Sequence, residues 1–197
     1  MNNTGRKRWP WQELTYPDAG LPAVIRQKTF YRLSCVNGLL RLSALMQNRA
    51  VTTKATEDNQ RLWELGDVLE FFIQIAGHDD YYEFQLAPNG RTLKLHMPND
   101  KTFRRIPFEK RFCDVPLQVC NAVSARRGLV YLEISVPLAY LEGGAEAEKI
   151  RYLVGRYDYT DGVREISASS PMPKGEFHNT ASWTEFEIKP HESSIYS

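Results

Sequence analysis

Between Leu62 and Gly90 the chain reads LWELGDVLEFFIQIAGHDDYYEFQLAPNG, and large apolar residues recur at alternate positions on both sides of a polar break. Leu69, Phe71, Ile73 and Ile75 form the first set. A period of two places them on one face of an extended strand, with Val68, Glu70, Phe72 and Gln74 on the other. After Gly77-His78-Asp79-Asp80 the pattern resumes with Tyr82, Phe84 and Leu86, opposed by Tyr81, Glu83 and Gln85. Pro88-Asn89-Gly90 then ends it, because these residues favour turn conformations. Two adjacent antiparallel strands near the centre of a sheet are predicted. One face goes to the core, and the other carries carboxylates, amides and rings. That second face is the place to look for ligand-binding groups.

The rest of the chain repeats this alternation in shorter pieces. Tyr31 to Val36 and Leu39 to Gln47 flank Asn37-Gly38, the signature of a tight hairpin whose two turn residues both accept positive φ. Thr92 to Met97, Leu117 to Ser124, Leu129 to Val136, Ile150 to Tyr159 and Trp183 to Ile188 are further predicted strands. Asn48 to Arg61 is polar and predicts a surface loop. Asn99 to Arg111 is basic, contains Pro107, and predicts a loop with at most a short strand. Pro137 to Leu141, before Gly143-Gly144, suits one helical turn. Ser167 to Ser182 holds Pro171, Pro173 and Gly175 and predicts a long loop. Short strands between turn signals, with no sustained helical period, predict an all-β chain. The expected form is a single antiparallel β-sandwich, immunoglobulin-like or of jelly-roll type, with little helix. Residues 1–22 read as an irregular segment broken by Pro10, Pro17, Gly20 and Pro22. The sandwich takes 23–190, and 191–197 form a tail. A length of 197 residues suits one such domain.

Charge narrows the function. Twenty-five basic residues against 24 acidic ones leave a formal charge of +1, so neither nucleic acid nor a membrane surface is expected as partner. Arg6-Lys7-Arg8 reads as a solvated tail. Trp9-Pro10-Trp11-Gln12-Glu13 follows it where a secretory leader would have an apolar core. As the sequence stands the expected location is cytoplasmic, or extracellular or periplasmic if a leader has been removed. Cys35, Cys113 and Cys120 are odd in number and match no metal-ligand spacing, so they read as small reduced hydrophobes. No cofactor and no metal are expected.

Taken in order, several pieces resemble the family 9 carbohydrate-binding modules and their broader relatives, the DOMON-like β-sandwiches. They are the Asn37-Gly38 hairpin, Trp63 with Gly66-Asp67-Val68-Leu69-Glu70-Phe71-Phe72, and Tyr81-Tyr82-Glu83-Phe84 with Pro88-Asn89-Gly90. Leu132 to Pro137, Gly155-Arg156-Tyr157 and Phe177-His178 with Trp183 follow, so the resemblance runs from about Tyr31 to Ile188. It implies non-catalytic binding of a sugar or an oligosaccharide end, with a carbohydrate as the partner. Trp63 and Trp183 would sandwich the ring, and Glu70, Gln74, Glu83 and Arg156 would read its hydroxyls. Such pairing suits a pyranose, which has apolar C–H faces and equatorial hydroxyls. Phe177 would pin the long loop, with His178 beside Trp183 and pointing towards Arg156. The loop and Trp63 would then form opposite walls of a pocket. Family members often carry an Asp where the early hairpin ends. Gln47-Asn48-Arg49 stands there in this chain, which argues against bound calcium.

Plainer alternatives stand beside each residue. Trp63 and Trp183 also suit caps of the core. Arg156 could be an ion-pair partner of Glu70 or Glu133. His178 could be a structural hydrogen-bonding group, and Asp79 and Asp80 suit a turn. Glu70 and Glu83 face the same way and could serve a glycoside hydrolase as acid and nucleophile, though no third supporting group is evident. Met46, Met97 and His96 would be the ligands if the chain held haem like some DOMON-like relatives, yet Met46 shares a stripe with Leu42 and Ala44. A protein-interaction or assembly module with a decayed sugar site, self-association included, is the competing class.

Overall fold

A computed structural model describes residues 10–17, 25–99, 101–172 and 176–188 of the chain. The basic run at Arg6, the tail 191–197, and Pro173 and Gly175 of the long loop lie outside the described residues. In chain order the strands are β1 (Gln12–Glu13), β2 (Tyr16–Pro17), β3 (Thr29–Val36), β4 (Leu39–Gln47), β5 (Val68–Ile75) and β6 (Tyr81–Leu86). They continue with β7 (Thr92–Met97), β8 (Gln118–Ser124), β9 (Leu129–Pro137), β10 (Lys149–Asp158), β11 (Glu165–Ala168) and β12 (Thr184–Glu187). Two antiparallel sheets result. One has the order β1-β3-β4-β9-β8; the other has β2-β11-β10-β5-β6-β7, with β12 also paired to β10. The chain is an all-β sandwich, and its one short α-helix is α1 (Leu62–Leu65) among the described residues.

The hairpin signals work as their chemistry requires. Asn37 and Gly38 both adopt positive φ, 52° and 71°, and join β3 to β4 with Val36 opposite Leu39. Leu69, Phe71 and Ile73 of β5 lie with Phe84 and Leu86 of β6 in the core between the sheets, against Leu40, Leu42, Leu132 and Ile134 of the facing sheet. β5 sits between β6 and β10, with Phe71 opposite Phe84 on one side and Val154 on the other.

Three features differ from the sequence expectation. The stretch read as irregular contains β1 and β2, one in each sheet, with Leu14 fully buried between them. The first residues of the predicted long loop are strand: Ser167 and Ala168 end β11, opposite Arg156 and Gly155 of β10. Four residues are too few to display a period. The largest difference concerns the second face of β5 and β6, which is not open, since every residue of both strands is buried. A second apolar cluster covers it, joining Val68, Phe72, Tyr81, Leu93, Leu95 and Leu153 of the sheet to Leu62, Phe103, Phe108, Phe177 and Trp183 from connecting segments. Phe103 and Phe108 lie on or open two 3-10 turns, Phe103–Arg105 and Phe108–Arg111, within the stretch read as a basic loop. Burying a ring of this size contributes roughly 1.5–3 kcal/mol, enough to hold segments with few hydrogen bonds of their own on the sheet.

Candidate functional site

The second cluster does not close completely. A cavity of about 240 Å³ remains over β5 and β6. Glu70 and Glu83 lie at its floor, with Leu95 and Met97 of β7 beside them and Tyr157 of β10 on the far side. Trp63 lines it from α1, Phe103, Arg104 and Arg111 from the 3-10 turns, and Glu176, Phe177 and His178 from the segment after β11.

The placement of Trp63 is built locally. Gly66 takes φ 145°, and a Cβ there would collide with the Thr52 carbonyl, so only glycine lets α1 pass so close to the 52–53 backbone. Asp67 then locks the junction. Its carboxylate accepts from Asn48 Nδ2 at 2.8 Å, from the Thr52 N–H at 2.7 Å and from the Tyr159 N–H at 2.7 Å. The Tyr159 hydroxyl donates to the Trp63 carbonyl at 2.5 Å. The indole packs edge-on to Phe108, ring centres 5.9 Å apart, and stays half-buried.

The floor is unusual. Glu70 on β5 sits opposite Gln85 on β6, and Glu83 lies two residues from Gln85 on the same face. Gln85 Nε2 donates to both carboxyls, at 2.7 Å to Glu70 and 2.5 Å to Glu83. Both glutamates are almost fully buried. Burial, then the charge of Glu83, raises the Glu70 pKa well above the usual carboxylate range. Burial also raises Glu83, to about 7, against the Gln85 hydrogen bond and the nearby Arg111 guanidinium. Burial and then the charge of Glu70 raise the Tyr157 hydroxyl. Arg111 reaches in from above, its guanidinium 5.7 Å from the Phe103 ring and 5.6 Å from the Phe108 ring. Its buried Nε has no hydrogen-bond partner among the described residues.

His178 shares a 2.9 Å hydrogen bond between Nδ1 and the Tyr81 hydroxyl, and its ring lies 4.3 Å from Phe103 and 5.4 Å from Phe72. Burial, then the charges of Arg104 and Arg111, lowers its pKa to about 3, so the imidazole is neutral at physiological pH. Its direction differs from the expectation, since it faces Tyr81 and Phe103 and not Arg156. Phe177 holds its segment down, packing on Phe72 and Tyr157 with centres 5.8 and 5.6 Å away.

Trp63, Glu70, Glu83 and His178 are thus brought together around one cavity. Gln74, Arg156 and Trp183 are not among its lining residues. Gln74 is two positions along β5 from Phe72, and its Nε2 donates to the Asp79 carbonyl at 3.3 Å, inside the hairpin loop. Trp183 is 6% exposed, packs on Phe72 and Tyr81, and donates from Nε1 to the Phe177 carbonyl at 2.8 Å. Arg156 points the other way altogether. It pairs in register with Leu69, on the face that carries Tyr152 and Val154 into the core, and is 1% exposed. There it forms an ion pair with Asp158 and donates to the carbonyls of Gln27 and Gln47 and to the Thr29 hydroxyl. Its partner is therefore neither Glu70 nor Glu133. Met46 is a fully buried core residue between the sheets, while Met97 lines the cavity on the opposite face, so these two cannot share an iron.

Phe103, Arg104, Arg111, Tyr157 and Glu176 line the cavity without having been singled out in the sequence. A signal existed for Tyr157: it shares a face with Leu153 and Gly155, and Gly155 opposes Glu70. The apolar pair Phe103 and Phe108 inside a basic stretch was a sign that this loop is anchored.

No protein-family model and no curated protein matches the sequence. Solved structures do share its architecture. A proposed carbohydrate-binding protein from Bacteroides uniformis superposes with a TM-score of 0.67 at 16% identity, over 92% of this chain and 87% of that one. A family 9 carbohydrate-binding module from Caldicellulosiruptor kristjanssonii, in complex with cellotriose, gives 0.64 at 9% identity over 96% and 87%. The family 9 module from that organism in complex with glucose gives 0.63 at 10% identity over 96% and 88%. The sandwich has the fold of the family 9 carbohydrate-binding modules.

Proposed function

We propose that this chain is a non-catalytic carbohydrate-binding module that takes a sugar, or the end of an oligosaccharide, into the cavity between Trp63 and His178. The observation that carries the reading is the floor of that cavity. Two buried carboxyls are presented there to a space walled by Trp63, Phe103, Tyr157, Phe177 and His178. Carboxyl groups accept paired hydroxyls, and flat rings pack on the C–H faces of a pyranose. Arg111 Nε, buried and unpartnered among the described residues, and the neutral imidazole of His178 add polar groups at the wall. A volume of about 240 Å³ suits a small ligand and not a long chain lying flat. Family 9 modules of the same fold that hold glucose and cellotriose support the same class of ligand.

Both carboxyls rise from one floor and are tied to one Gln85 amide. A glycosidase needs its pair flanking the scissile bond, so this arrangement favours holding a sugar over cleaving it. Calorimetric titration with glucose, other monosaccharides and short β-glucan oligomers tests the proposal. Binding at or below millimolar Kd, weakened by Trp63→Ala, is the expected outcome. Absence of binding to any of these and to a broad glycan array at millimolar concentration would overturn it.

A further inference from the structure

At the end of the β5–β6 hairpin, on the opposite side of the sheet from the cavity, three segments bring metal-ligating side chains together. Asp80 comes from the hairpin loop, His96 from β7 and Glu142 from the segment after β9. One ligand atom of each lies within 4.8 Å of the other two. His96 Nε2 is 2.6 Å from Asp80 Oδ2, and His78 Nδ1 lies 3.5 Å from the other oxygen, Oδ1. We propose that Asp80, His96 and Glu142 bind a divalent transition metal ion of the zinc class.

The arrangement is held in place before any ion arrives. The His96 ring lies flat on Tyr82, centres 4.5 Å apart and planes within 8°, which fixes where Nε2 points. The Tyr82 hydroxyl accepts from the Glu142 N–H at 3.1 Å, so the same tyrosine that orients the imidazole also anchors the backbone of the third ligand. His78 packs on Gly143, where a Cβ would come 2.5 Å from its Nε2, so the glycine beside Glu142 is what admits the second histidine. From there His78 Nδ1 lies 3.5 Å from Asp80 Oδ1, the oxygen other than the one His96 contacts, and is placed to support the carboxylate as a second residue behind a metal ligand does.

Charge and donor type set the ion class. Asp80 and Glu142 bring two negative charges, and among the described residues neither is ion-paired with a Lys or Arg. An imidazole nitrogen with two carboxylate oxygens favours zinc-class ions over calcium, which takes six to eight oxygens. A zinc ion with bonds of about 2.0–2.2 Å needs its ligand atoms more than 3 Å apart. His96 and Asp80 would therefore separate slightly, the ion replacing their hydrogen bond, while the exposed Glu142 side chain closes in. A water completes the tetrahedron.

His96 and Met97 are neighbours on β7 that face opposite sides of the sheet, so this site and the sugar cavity are separable. The test is calorimetric titration of the full chain with zinc chloride, alongside thermal unfolding with and without the metal. The expected result is one zinc per chain and a Tm raised by several degrees. His96→Ala and Glu142→Gln should each lower zinc affinity at least about tenfold, while sugar binding stays unchanged. Because Glu142 is exposed, its variant folds even if His96→Ala does not. No stoichiometric binding by the wild type, or binding undiminished in Glu142→Gln and His96→Ala, would overturn the proposal.

Discussion

Glu70 and Glu83, on neighbouring strands, accept hydrogen bonds from a single amide nitrogen, Gln85 Nε2, beneath a cavity. The pair resists double ionisation, since burial raises both pKa values and the charge of Glu83 raises Glu70 further. The folded chain therefore holds protons that the unfolded chain has released above the ordinary Glu value of 4.5. Stability from this source is full below about pH 4.5 and is lost as pH rises through the folded value, about 7 for Glu83. Glu70→Gln removes one charge and keeps an acceptor for Gln85. It should make the decline between pH 5 and 8 shallower and raise stability at pH 8, with the part that comes from Glu83 remaining. Urea unfolding at the two pH values measures this. An unchanged slope would mean that burial does not raise the Glu70 pKa in the folded chain.

The two candidate tryptophans should separate in a binding and stability assay. Trp63 is half-buried at the cavity wall, whereas Trp183 is 6% exposed and locked by its bond to the Phe177 carbonyl. Trp63→Ala is expected to weaken sugar binding at least tenfold with a modest loss of stability. Trp183→Ala leaves a cavity among Phe72, Tyr81 and Phe177 and should cost about 3–5 kcal/mol. Denaturant midpoints and calorimetry on both variants check the assignment. Equal stability losses would contradict it.

Arg156 and Asp158 give a third expectation. Both are nearly inaccessible, and the guanidinium also holds the Gln47 and Gln27 carbonyls. Arg156→Met strands a buried carboxylate that otherwise has the Thr160 N–H and Asn48 for company, at a cost of about 3–5 kcal/mol. Adding Asp158→Asn should recover part of that loss in a double-mutant cycle. Sugar affinity should not change in any of the three proteins that still fold.

How much of this was legible in the residues differs by element. The strands β3, β4 and β9 announce themselves, because one buried face imposes a period of two, while β5 and β6 carry the alternation although both of their faces are covered. The same runs place Glu70, Glu83 and Gln85 on one face. Whether that face is open is decided elsewhere, by Phe103, Phe108, Phe177 and Trp183, which sit in segments with no period to read. β10 shows the limit from another side. Ile150, Tyr152 and Val154 face one way and Leu153 and Tyr157 the other, so apolar residues occupy both faces and hydrophobicity does not assign a side to Arg156. The strand register settles it, because Arg156 opposes Leu69 while Gly155 opposes Glu70. β11 is recognisable only through its pairing to β10 and β2.

Gly155 offers a check on the wall of the cavity. It lies on β10 between Glu70 of β5 and Ala168 of β11, and an added Cβ would come 2.9 Å from two atoms of the Phe177 ring. Strand backbone cannot yield here without disturbing two ladders, so the ring must move. Phe177 is followed by His178, and its carbonyl holds the Trp183 indole, so displacing the ring shifts two neighbours at once. Gly155→Ala should therefore cost about 1–3 kcal/mol and weaken sugar binding, although no side chain proposed to touch the sugar has been changed. Phe177→Leu, which shortens the wall, should relieve the clash. The double variant is then expected to be more stable than Gly155→Ala alone, with a favourable coupling of about 0.5 kcal/mol or more. Additive losses in that cycle would show that the ring and the glycine do not press on each other.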